Sequence, residues 1–212
     1  IIIMRKNFIK MIILSSLFAL GSILTINYIN ELNKSEQHNT FLSNAASFSD
    51  IHYTNSENFK DLLDFSDVSR ESFEGKISDI RKNAQEAYKL IYSDNSDYSS
   101  EEKQLLDIAA KSWIEGIELF EVSIITLIDD PTATNIEQSI AQSIVTLAIG
   151  DKAYSDFLFL TNQNARSEGA FLPNFYQIEY IGLEDNSYKF ADLLVDKAKS
   201  STGGLFLQKI LL

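Results

Sequence analysis

Apolar residues at alternating steps of four and three run through most of this chain, and that spacing admits few solutions other than helices packed side by side. The clearest series is Leu106, Ala110, Trp113, Ile117, Phe120, Ile124 and Leu127. Side chains three and four apart share one face of an α-helix, so the series is one buried stripe. Phe73, Ile77, Ile80, Ala84, Ala87 and Ile91 make a second, and Ile136, Ile140, Ile144, Leu147, Tyr154 and Phe157 a third. A fourth is interrupted by polar residues: Phe41, Ala45, Phe48, His52, Asn55, Phe59 and Leu62. Only 2 prolines and 8 glycines punctuate 212 residues, which favours long helices.

Cap and breaker signals divide the stripes into helices over about 39–64, 69–92, 100–129 and 134–162, the first of them able to continue from the apolar run that precedes it. Ser99 or Ser100 is placed to cap the third, and Pro131 bars Asp130 from helical geometry. Thr134 with Glu137 three residues on reads as a capping box for the fourth. Gly150 sits on that helix's stripe, where a neighbour can approach closely. Short connections between long helices imply an antiparallel four-helix bundle over 39–163. No repeat of fixed period emerges, which argues against a solenoid.

Residues 164–212 change character. Gly169 and Pro173 break helix, and "FYQIEYIG" is aromatic and β-branched, so a loop and a short strand are expected. A fifth, short helix starts at Asn186 or Ser187, with Ala191, Leu194 and Ala198 facing inward. The apolar tail "GGLFLQKILL" is expected to pair as a strand with 175–181 or to begin an element beyond Leu212. The fold class is therefore mainly all-α.

The N-terminal region carries a different signal. A basic segment, 1–10, holds Arg5, Lys6 and Lys10, and an apolar run follows from Met11 to Ile29. Nineteen residues of helix span about 28 Å, close to one bilayer core. Basic residues before the run and Glu31 and Glu36 after it orient the bulk of the chain outside the cytoplasm. Cleavage at Ala19-Leu20-Gly21 would leave "SILTINYI" on the mature protein, where a signal peptide should turn polar. An uncleaved transmembrane signal-anchor over 11–29 is expected, with a membrane-proximal linker over 30–38. Met4 is read as the start of translation, the three isoleucines before it carrying no physical signal.

Charge narrows the partners. The chain carries 18 basic and 30 acidic residues, and three of the basic ones precede the apolar run. The remainder repels phosphate backbones and anionic headgroups, so nucleic acid is excluded as a partner. Without cysteine there is no disulfide, thiolate metal site or thiol nucleophile. His38 and His52 both fall in the polar membrane-proximal segment, and no Glu-x-x-His pair accompanies them as a di-iron bundle requires. The acidic turn "SDNSDYSSEE" offers Asp94, Asn95, Asp97, Glu101 and Glu102 but lacks the central glycine of a calcium loop. Glu115, Glu118 and Glu121 read as a solvated helix face, and Trp113 as a core residue. Asn33-Lys34-Ser35 is a glycosylation sequon. No catalytic, cofactor or metal residues are assigned, and no cofactor is expected.

One region stands apart from scaffold. Phe171, Phe175, Tyr176 and Tyr180 cluster in the 169–181 loop beside a glycine and a proline. Rigid aromatics on a loop suit contact with a protein partner, or they close the end of the bundle. The expectation is a membrane-anchored extracytoplasmic helical bundle with a non-enzymatic interaction or structural role. The alternatives are the ligand-binding ectodomain of a membrane sensor whose second span lies beyond this chain and, more remotely, an enzyme.

Overall fold

The computed structural model describes residues 2–63, 69–92, 100–130, 132–168, 172–181 and 189–196, with residues 2–24, 26, 167 and 168 described by their backbone alone. The protein is mainly helical. Among the described residues, four long helices follow one another: α1 (Ile2–Leu63), α2 (Arg70–Tyr92), α3 (Glu101–Asp129) and α4 (Ile136–Glu168). A short fifth, α5, covers 189–196.

The chain divides into two compact units, Ile1–Thr40 and Phe41–Leu212. The first is described through helical backbone from Ile2 onward. The expected linker at 30–38 is helical as well, because neither glycine nor proline occurs between Ser22 and Glu74 to break the helix. Among the described residues no helix is long and apolar enough to cross a membrane. The run at 11–29 falls largely in the stretch described by its backbone alone.

The second unit is the bundle, and its core is built from the four stripes. Every residue of the α2 and α3 series is buried, as are Phe41, Phe48 and Phe59 on α1 and Ile140, Leu147 and Phe157 on α4. Paired contacts fix the helix directions. Phe73 and Tyr88 of α2 meet Phe120 and Asp107 of α3, so these helices run antiparallel. Glu102 and Trp113 of α3 meet Asn164 and Asp151 of α4, again antiparallel. Phe48 of α1 stacks on Trp113 and Phe59 meets Phe120 edge-on, so α1 and α3 run parallel across the core. This is the up-down-up-down order of a four-helix bundle. On α5, Ala191, Leu194 and Val195 are buried, whereas Ala198 lies outside the described residues.

Helices α3 and α4 are in tight contact at two glycines. A Cβ on Gly116 would stand 2.6 Å from Leu147 Cγ, and one on Gly150 would stand 2.4 Å from Trp113 Cδ1. The indole occupies the notch that Gly150 leaves.

Three expectations are corrected. The strand at 175–181 is absent: 172–179 has no regular secondary structure, and the N–H groups of Tyr176, Tyr180 and Ile181 find side-chain acceptors instead of a ladder; the tail that was to pair with it lies outside the described residues. α4 opens at Ile136 rather than just after Thr134: Ser139 N donates to the Asn135 carbonyl at 3.0 Å, and Asn135 takes the left-handed conformation (φ 67°) that asparagine tolerates. Glu121 is not solvated. Steps of three fall about 60° short of a full turn each time, so the row from Glu115 drifts toward α2 by Glu121. There the carboxylate is nearly buried and pairs with Arg81 at 2.8 Å. Burial pushes its pKa above the usual carboxylate range, while Arg81 pulls it down and Glu118 and Glu74 add to the rise.

The two helical glycines Gly75 and Gly150 predict opposite outcomes. A Cβ on the exposed Gly75 meets nothing within 4 Å, so Gly75→Ala should gain up to about 1 kcal/mol from helix propensity. Gly150→Ala should lose about 1–3 kcal/mol, because Trp113 cannot retreat without breaking its bond to Asp151. Chemical denaturation of both variants checks the pair.

Candidate functional site

The segment 172–181, the strap, is held by side chains of α1 and α4. Tyr176 is fixed through both of its backbone polar groups. Its N–H donates to Ser49 Oγ at 2.9 Å, and its carbonyl accepts from the Tyr154 hydroxyl at 3.0 Å. Ser49 and Tyr154 oxygens are themselves 2.9 Å apart. With a single proton on the phenol, all three contacts are satisfied when Ser49 donates to Tyr154. Burial lifts the Tyr154 hydroxyl well above its ordinary pKa, so it remains a donor.

Four residues further on, the strap meets Asp151. Its Oδ1 accepts from Trp113 Nε1 at 2.9 Å and from Tyr180 N at 3.0 Å, and its Oδ2 accepts from Ile181 N at 3.0 Å. The carboxylate is 5% exposed. Tyr180 then turns its side chain into the core, where its hydroxyl lies 2.9 Å from His52 Nδ1. His52 is wholly buried, between Phe48 at 4.3 Å and Trp113 at 4.6 Å between ring centroids. Burial lowers its pKa from 6.5 to about 3, so the imidazole is neutral at physiological pH. Its Nε2 has no hydrogen-bond partner among the described residues.

His52 is therefore a core residue, not part of a polar stalk. The reason is positional: it occupies a stripe site between Phe48 and Asn55, and the stripe faces inward regardless of residue type. Asn55 is buried with it and donates to the Ile80 carbonyl at 2.9 Å.

The four aromatics singled out in the loop have separate fates. Phe171 lies outside the described residues. Phe175 is half-buried, edge-on to Phe157 at 5.4 Å. Tyr180 is sealed in the core at 1% exposure. Tyr176 is 47% exposed and stacks on Tyr53 of α1 at 4.5 Å, with an interplanar angle of 20°. Of the three described, Tyr176 is the one with substantial aromatic surface facing solvent, and Tyr53, itself 39% exposed, extends it.

Ser49, Tyr53, Asp151 and Tyr154 were not assigned from sequence. Asp151 carries a readable signal. Ile140, Ile144, Leu147, Asp151 and Tyr154 keep the four-three step, so a carboxylate stands where the stripe calls for an apolar residue. Of the acidic turn, Asp94, Asn95 and Asp97 lie outside the described residues, whereas Glu102 is buried and accepts from Asn164 at 3.1 Å. No group of three or more His, Asp or Glu side chains among the described residues is placed to hold a metal ion. No family model, curated protein or solved structure matches the chain.

The chemistry of this region is attachment. Its polar atoms hold the strap, and His52, Asp151 and Tyr154 are shielded from solvent. The lowered pKa of His52 makes a pH prediction. Below pH 6.5 the unfolded chain binds a proton at His52 that the folded chain refuses until about pH 3. Its contribution to stability is thus full above pH 6.5 and is lost as pH falls toward 3. Between pH 6.5 and 5 the wild type should lose about 2 kcal/mol more than His52→Gln, as read from urea unfolding at each pH.

Proposed function

We propose that this protein is a membrane-anchored, extracytoplasmic helical bundle that binds a protein partner and does not catalyse a reaction. The carrying observation is Tyr176. Its backbone is pinned by Ser49 and Tyr154, while its ring stays exposed against Tyr53. A rigid aromatic loses little freedom on binding, which is why such rings contribute strongly at interfaces. The buried groups of the region support a binding role over catalysis. Asp151 accepts bonds from the strap and from Trp113, and His52 is enclosed by rings. The anchoring half of the reading rests on the apolar run at 11–29 behind Arg5, Lys6 and Lys10.

In cells, a photoreactive residue in place of Tyr53 should give a discrete adduct that disappears with Tyr176→Ala. That substitution should cost only about 1 kcal/mol of stability, the order of one aromatic stack. An adduct indifferent to Tyr176, or none, contradicts the binding half. Recovery of the full-length chain in the supernatant after alkaline carbonate extraction contradicts the anchoring half.

A further inference from the structure

The outer face of α4 carries apolar side chains that the bundle does not cover. Val145, Ile149 and Phe159 are 41%, 50% and 72% exposed. They are not scattered. Together with Lys152 and Asp156 they follow the series 145, 149, 152, 156, 159, alternating four and three without a fault. These positions share one face of α4, on the side away from its core stripe, at the spacing by which helices pair along a seam. The face of a surface helix opposite its core stripe ordinarily carries polar and charged residues.

The two polar members of the seam indicate its partner. Lys152 and Asp156 form an ion pair along the helix and are 57% and 46% exposed. Set a second α4 antiparallel to the first, with a two-fold axis beside position 154. Ile149 then faces the partner's Phe159, and Lys152 faces the partner's Asp156. Val145 faces the partner's Gln163, and Gln142 faces the partner's Arg166. The two-fold repeats each contact, so every charge on the seam meets an opposite or a neutral residue. A parallel pairing in register would instead set Lys152 against Lys152 and Asp156 against Asp156. The charge order therefore selects the antiparallel arrangement. The seam is also nearly neutral in a chain of net charge −12, so two copies meet there without the repulsion expected of acidic faces.

We infer that the outer seam of α4 is a self-association surface, which pairs antiparallel with the same seam of a second copy through Ile149, Phe159 and the Lys152–Asp156 pair. The interface is isologous, as two-fold pairing requires.

The absence of cysteine makes the test direct, because an introduced thiol is the only one in the chain. The full chain is purified in neutral detergent, where copies meet in either orientation, and oxidised. Ser155→Cys, beside the axis, should form a disulfide-linked dimer. Ile149→Cys alone should not, since two such residues are about 15 Å apart along the pair, beyond disulfide reach. Ile149→Cys mixed with Phe159→Cys should give the mixed dimer. Adding Phe159→Asp to Ser155→Cys should cut the dimer yield at least tenfold, with an unchanged melting curve because Phe159 makes little core contact. Self-linking by Ile149→Cys would overturn the register. Ser155→Cys that stays monomeric, or that links no better than an exposed thiol at Glu137→Cys, would overturn the self-association.

Discussion

A buried carboxylate organises the bundle. Asp151 stands on α4 where an apolar residue would otherwise continue the core, and it accepts hydrogen bonds from α3 and from the strap. Burying a charge is costly unless it is well bonded, and the N–H groups around Asp151 meet that condition. The reverse dependence is as strong. Without the carboxylate, the Trp113 indole and the amides of Tyr180 and Ile181 lose an acceptor in a closed interior, at about 1–3 kcal/mol each. Gly150 next to it leaves the room that the indole occupies. One residue thereby joins helix packing to the placement of a segment that has no secondary structure of its own.

That placement decides which aromatic surface faces solvent. The strap is tied at Tyr176 through its backbone and at Tyr180 through both backbone and side chain. Ile178 and Tyr180 go inward, while Gln177 and Glu179 remain exposed. Tyr176 keeps its ring outside by resting it on Tyr53. The proposed contact at Tyr176 and the seam on α4 are distinct surfaces, one set by the strap and one by helix periodicity alone.

Periodicity made the bundle legible. The four stripes name helices, their faces and most of the core, since a four-three spacing has one structural meaning once glycine and proline are scarce. Polar residues on a stripe are harder to read. His52 and Asn55 carry the chemistry of a surface and the position of a core, and position prevails because the rest of the helix fixes the face. The strap was illegible for a related reason. Its aromatic and β-branched residues suggest a strand, but its acceptors are Ser49 and Asp151, more than twenty-five residues away in sequence. Nothing local announces such bonds. Glu121 went astray through the gap between a step of three and a helical turn of 3.6.

The role of Asp151 is most directly tested by amide hydrogen exchange on the native protein. If the carboxylate fastens the strap to the core, the amides of Tyr180 and Ile181 open only with global unfolding, and their protection matches that of core amides in α3. The amides of Asn174 and Gln177 should exchange faster. Asp151→Ala should collapse the protection at Tyr180 and Ile181. Exchange at these two positions as fast as at Gln177 in the wild type would contradict the account.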